Sequence, residues 1–191
     1  MSSIKLTADS GGGTVEFKAP PTTTSNAAKV ITLSQNPGMI TQVVQAVKTD
    51  IWSHDTDTYT NVTGLTVDIT PSSTSNKILV LGVIHTGNEA NDMTKIRIAR
   101  DGTGIFVGDT LSNTVSGLCQ WYEHHMDQYS TVPTVAVYLD SPNSTSSLTY
   151  SWQIRNQSGS NTVNVNETGH GGDSTQKFAA ASSLIVMEVA V

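Results

Sequence analysis

Four side chains suited to catalysis or metal binding crowd into YEHHMDQY, residues 122–129: Glu123, His124, His125 and Asp127. In an extended strand alternate residues share a face, so Glu123 and His125, or His125 and Asp127, project together while His124 points the other way. The two neighbouring histidines therefore cannot serve one ion within a single chain. A three-fold axis could gather one imidazole from each of three chains, but a zinc site requires nitrogens converging at about 2.0–2.1 Å. Polar strand positions near a subunit contact are the better reading, and no metal is expected.

The other reactive residue types are scattered. His54 stands in SHDTDTYT beside Asp55 and Asp57, where alternating oxygens would suit calcium. The rest of an EF-hand loop is missing, which leaves a solvated turn. His85 closes the apolar run KILVLGVIH. His170 lies in ETGHGGDS, whose glycines mark a turn but which lacks the helix start and basic residue of a phosphate cradle. NQSGSN is not a nucleophile elbow. Glu123, Asp140 and Glu167 could meet in space as the carboxylate pair of a glycan-cleaving enzyme, although their spacing alone cannot show it. The single Cys119, in LCQWYEHHM, reads as a small buried strand residue. With no catalytic, metal or cofactor motif, the chain is expected not to be an enzyme and to need no cofactor. Among the aromatic residues, Trp121 and Trp152 lie in strand-like runs and read as packing. Tyr129, with His170 and Asp173 of the GHGGD loop, remain as candidates for a binding surface.

The background into which these residues are set is polar but weakly charged. Of 191 residues, 37% are hydrophobic and only 14% charged, and Ser, Thr, Asn and Gly fill the difference. Helical proteins carry their polar faces on Glu and Lys, so this balance points to strands and polar turns. The net charge of −6, with no basic block, disfavours nucleic acid, whose binding rests on cations displacing counterions from phosphates. No apolar run reaches the roughly 18–20 residues that span a bilayer, and a secretory leader is not evident. Neither membrane insertion nor a secretory route is therefore expected, and the sequons NVT, NST, NQS and NET read as chance.

Two units are predicted. Residues 1–37 hold two alternating fragments, IKLT and VEFK, about a Gly triplet, then the linker APPTTTSNAA, KVITL and the break QNPG. Their sizeable apolar groups are Ile4, Leu6, Val15, Phe17, Val30, Ile31 and Leu33. So few side chains cannot offset backbone ordering at about 1–2 kcal/mol per residue, so the segment reads as an extended arm for docking or oligomerisation, with packing on its own domain as the alternative. Residues 38–191 carry strand-like runs separated by PSSTSN, RDGTG, DSPNSTSS and NQSGSN. That spacing fits an antiparallel jelly-roll β-sandwich of around ten strands, with a barrel as the runner-up, so the chain as a whole is expected to be all-β. DTYTNV and LTVDI read as separate strands, and TKIRIAR and TVNVN as half-exposed ones. KILVLGVI and the closing SLIVMEVAV are nearly continuous apolar runs. They suit central strands, or strands facing the core on one side and a neighbouring subunit on the other.

The opening MSSIKLTADSGGGTVEFKAPP resembles the first residues of marine, cyanophage-like phage virion proteins of the tail-fibre or appendage type. The middle, MITQVVQAVKTDIWSHDTDTYTNVTGLTVDITPSSTSNKILVLGVI, is similar to a module of phage structural proteins. IRIARDGTGIFVGD, YLDSPNSTSSLTYSWQIRNQSGS and SLIVMEVAV resemble its continuation. These signatures are turns and strands rather than catalytic groups. The resemblance implies a virion location after assembly in the host cytoplasm, and a homo-oligomer, most often a trimer. It also implies an arm joined to other virion proteins and a knob presented to a host-surface glycan. The arm passes almost directly into the knob without a repetitive shaft, which leaves a short fibre and a capsid decoration protein both open. A small glycan-acting enzyme is the alternative of another class.

Overall fold

The computed structural model describes residues 37–88, 92–122, 129–159, 161–169 and 175–191, together with the backbone of 3–7 and 14–18. The chain divides into two compact units, Met1–Ser34 and Gln35–Val191. The first contains an antiparallel pair, β1 (Ser3–Thr7) and β2 (Thr14–Lys18), whose register sets Ile4 opposite Phe17 and Leu6 opposite Val15. Val30, Ile31 and Leu33 lie outside the described residues.

The second unit is a β-sandwich of eleven described strands. They are β3 (Ile40–Lys48), β4 (Trp52–His54), β5 (Thr60–Ile69), β6 (Lys77–Asn88), β7 (Met93–Arg100) and β8 (Thr103–Ile105). After them come β9 (Cys119–Tyr122), β10 (Val132–Asp140), β11 (Leu148–Asn156), β12 (Val163–Val165) and β13 (Ser182–Val189). One sheet runs β3-β13-β6-β10, with β12 and β4 continuing beyond β13 along the same side of β6. The other runs β5-β11-β7 and ends on β8 and β9. The pairings nest: β3 with β13, β5 with β11, β6 with β10, β7 with β9, alternating between sheets and all antiparallel. A long hairpin folded over in this way is a jelly roll.

The core follows from period-two alternation on both sheets. Ile78, Val80 and Ile84 of β6, with Leu184 and Val186 of β13, face Tyr150, Trp152 and Ile154 of β11 and Ile96 and Ile98 of β7. All are fully buried, and each contributes about 1.5–3 kcal/mol relative to exposure. Trp152 is the largest. It lies over Gly82, where a Cβ would come within 2.9 Å of the indole, and its Nε1 donates to Ser183 O at 3.1 Å.

The turn PSSTSN has a second role besides reversing the chain. Glu188, the only acid in β13, is buried. Its Oε1 accepts from Ser72 N (2.6 Å), Ser72 Oγ (2.7 Å) and Asn76 Nδ2 (2.6 Å). Burial pushes this carboxyl up, but the donors of Asn76 and Ser72 outweigh it and hold the group below its ordinary value. The turn after β5 is thereby tied to the last strand.

Three local expectations are corrected. DTYTNV and LTVDI belong to one strand, β5, whose pairing with β11 shifts register between Ser151 and Gln153. Gly64 sits near that irregularity at φ 86°, a left-handed conformation that glycine adopts without Cβ strain. The alternating TVNVN is not half-exposed: β4 and β6 pair along the edges of β12 and residues 167–169 lie over its outward face at Asn164 and Gly87, so it is buried throughout, with Asn164 accepting from Ser53 Oγ at 2.8 Å and donating to Thr168 O at 3.4 Å. β7 also departs from simple alternation, since Lys95 and Ala99 on its outward side are buried.

Candidate functional site

The outward face of the β3-β13-β6-β10 half-sheet is apolar. Cross-strand register places Val43, Met187, Leu79 and Leu139 in one row. Gln45, Ile185, Leu81 and Val137 form the next, and Val47, Ser183, Val83 and Val135 the third. No ionisable side chain falls in these rows, and only Gln45 and Ser183 are polar. The outer strands are the barest: Val43 and Val47 are each 58% exposed, and Val135, Val137 and Leu139 are 61%, 60% and 45% exposed. A shallow depression of about 220 Å³, lined by Leu81, Val83, Val135, Val137 and Ile185, lies at the centre.

Strand spacing of about 4.8 Å and same-face spacing of about 6.8 Å give the grid a footprint of roughly 400 Å². That is the size of the largest apolar patch on an ordinary monomer, a patch that is often functional. β6 and β13 thus carry hydrophobic residues on both sides, one set filling the core and the other set half-buried between the outer strands. This explains why KILVLGVI and SLIVMEVAV are nearly unbroken apolar runs.

The outward face of the other sheet is different in kind. Asn61, Thr66 and Asp68 of β5, Thr149, Ser151, Gln153 and Arg155 of β11, and Lys95 and Arg97 of β7 make it polar. Many of these groups are joined laterally: Thr149 Oγ1 donates to Asp68 at 2.6 Å, and Ser151 Oγ and Gln153 Nε2 donate to Asn61 Oδ1 at 3.0 and 2.8 Å. A sheet built this way is suited to water, and the two faces of the sandwich have opposite affinities.

The residues singled out by type fare unevenly. Asp140 is buried and accepts from Tyr150 Oη at 2.6 Å and Arg100 Nη1 at 2.5 Å. Burial first, then the bond to Asp140 and its negative charge, raise the Tyr150 phenol well above its usual value. Glu167 is paired with Lys177 at 2.5 Å. Each of these two acids is thus committed to its own cation. His54 is buried, stacked on Trp52 at 5.3 Å between ring centroids and bonded to Thr56 Oγ1 (3.0 Å), while Asp55 and Asp57 are exposed. His85 Nδ1 lies 3.0 Å from Ala181 O. Trp121 packs against the core, with Nε1 donating to Thr86 Oγ1 at 3.0 Å. Cys119 is half-buried at the start of β9. Tyr129 is half-buried, whereas His170, Asp173 and the group Glu123, His124, His125 and Asp127 lie outside the described residues. Among the described residues no three His, Cys, Asp or Glu side chains converge as a metal site would require.

The apolar face was not singled out residue by residue from the sequence. Its signal was there in the outward halves of ITQVVQAVK, KILVLGVI, VPTVAVYLD and SLIVMEVAV, whose solvent-side positions are aliphatic instead of polar.

No protein-family model matches the chain, and no curated protein matches it either. Among solved structures, the chain has weak likeness to the structure of infectious bursal disease virus Gx strain. There the identity is 15% and the TM-score 0.35, over 98% of this chain and 46% of that one. A second, the crystal structure of the infectious bursal disease virus VP2 subviral particle, gives 14% and 0.35, over 93% of this chain and 44% of that one. The chain spans less than half the length of each.

Proposed function

We propose that this protein is a non-enzymatic structural component of a phage virion: the knob of a short fibre or appendage, self-associated as a homotrimer, with the N-terminal segment joining it to other virion proteins. The observation that carries the assembly part is the bare aliphatic face of β3, β13, β6 and β10. The virion part rests on the resemblance of the arm and of the ITPSSTSNKILV module to phage structural proteins. An aliphatic face of this size is costly in water, and further copies of this chain are its natural cover. Its exposure is greatest on the two outer strands, β3 and β10. In a three-fold arrangement each outer strand meets the opposite outer strand of a neighbour, and the centre closes on the axis. Several knobs on one particle would then act together, raising avidity through effective concentration. A capsid decoration protein stapled across coat subunits would use the same face, so the fibre and decoration readings differ in where the protein attaches.

Mass by light scattering, on the full chain and on a version beginning at Met39, tests the assembly. A trimer in both assigns self-association to the sandwich. A trimer only in the full chain assigns it to the arm and removes the role given to the apolar face. Monomers in both cases overturn the homotrimer. Gold-labelled antibody against the sandwich, applied to intact particles, separates tail from head attachment, and absence of label from particles rejects the virion reading.

A further inference from the structure

The polar sheet carries a feature that self-association leaves unused. Lys95 and Arg97 occupy alternating outward positions of β7, and Arg155 of β11 stands directly across from Lys95 in the ladder. Among the described residues, none of the three has a carboxylate ion-pair partner, in a chain of net charge −6. Their contacts are to neutral groups. Lys95 Nζ donates to Gln157 Oε1, and Arg97 Nε donates to Gln153 Oε1 at 2.7 Å. The Arg97 guanidinium also lies over the ring of Tyr59, 3.9 Å from its centroid. Arg155 Nε is buried with no hydrogen-bond partner. The nearby acid Asp92 is occupied by Met93 N at 2.7 Å and by Ser158.

Beside Lys95 is a cavity of about 140 Å³, lined by Tyr59, Gly117 and Gln120 among others. Gln120 is the ladder neighbour of Lys95 on its other side. Tyr59 Oη donates to Ser116 O at 3.0 Å, which anchors the cavity wall. The volume holds several waters, and hence an oxyanion group. Burial, and then the charge of Arg155, push the Lys95 ammonium below its usual value. An anion drawn into the cavity would meet the Lys95 ammonium and offset the positive charge that Arg155 places across from it and Arg97 beside it on the sheet.

We infer that the cavity of Lys95, Gln120 and Tyr59, with Arg155 and Arg97 adjoining Lys95 on the sheet, binds the carboxylate or sulfate of a short acidic saccharide. A long polyanion such as nucleic acid is disfavoured, because the cations form one small cluster on an acidic protein and not a basic track. The exposed amide of Gln120 at the cavity suits a sugar hydroxyl instead. This inference does not depend on the oligomeric state or on virion attachment.

Isothermal titration of the full-length protein with trigalacturonate, with a sulfated chondroitin disaccharide, with neutral maltotriose and with a short oligothymidylate tests it. The expected result is saturable binding of the carboxylated or the sulfated sugar, and the comparison of those two shows which oxyanion fits. Maltotriose and oligothymidylate should bind at least ten-fold more weakly. Arg155→Met and Lys95→Met should each weaken the acidic sugar about 10- to 100-fold, the loss of one charge-assisted contact. Melting temperatures should stay near or above the wild type, since like-charge repulsion is removed. If Lys95→Met does not fold, Arg155→Met alone decides. No binding of either acidic sugar at millimolar concentration overturns the site, as do equal binding of maltotriose, equal binding of oligothymidylate, or affinity unchanged in folded Arg155→Met.

Discussion

Val137→Asp is the sharpest probe of the apolar face. Val137 lies in the middle row, across from Leu81, and is 60% exposed in the single chain. Full burial of an aliphatic side chain of this class is worth about 1.5–3 kcal/mol, so covering its exposed part contributes roughly 1–2 kcal/mol per copy. A carboxylate at the same place must be desolvated without a partner, because no cation stands in the three rows; that costs several kcal/mol more after relaxation. The combined loss of about 4 kcal/mol or more per contact corresponds to roughly a thousand-fold weaker association. The folded monomer should barely notice, since exposed positions away from special features usually change stability by about 0.5 kcal/mol, with a further few tenths for Asp in a strand. Light scattering with a parallel thermal melt reads both quantities. The expected outcome is a monomer whose melting resembles that of the wild-type monomer. Thr66→Asp, on the polar sheet, should leave the mass unchanged. A Val137→Asp protein that keeps the wild-type mass would refute the reasoning. So would a Thr66→Asp protein that dissociates as readily.

Two further outcomes follow from the interior. Glu188→Ala strands the donors of Ser72 and Asn76 and should cost about 3 kcal/mol, read as a lower urea midpoint at unchanged slope. Because the folded carboxyl titrates below its ordinary 4.5, the unfolded chain binds the proton first. Glu188 therefore supports stability fully above that value, and this share fades as pH falls through the lower folded value. Glu188→Gln should lack that share of the acid sensitivity, and identical pH profiles for the two proteins would sink the assignment. Gly82→Ala drives a methyl to within 2.9 Å of the Trp152 ring and should destabilise by about 1–3 kcal/mol through overpacking. Its emission spectrum should shift if the indole is displaced, and an unperturbed spectrum with unchanged stability would show that the contact gives way easily.

Alternation along one strand is a local property of the backbone, so the sequence alone determined that this is an all-β protein with a polar turn every few residues. It also marked KILVLGVI and SLIVMEVAV as apolar on both sides. The physical reason is that a period of two survives whatever the strand pairs with. What each side meets is non-local. The sequence shows Ser72 and Asn76 in a turn and Glu188 in an apolar run, but only the folded chain brings them together, more than a hundred positions apart. TVNVN has the pattern of a half-exposed strand and is buried because the chain after it, at residues 167–169, turns back over Asn164 and its ladder neighbour Gly87, a packing that no local pattern announces. Lys95 and Arg97 are visible as a pair in TKIRIAR, yet Arg155 joins them only through the β7–β11 register. Likewise, the aliphatic outward rows become one face only once β3, β13, β6 and β10 lie side by side. Pattern along the chain reports which groups avoid water; register and layering, set by long-range pairing, decide which of them find cover within the sandwich and which are left at its surface.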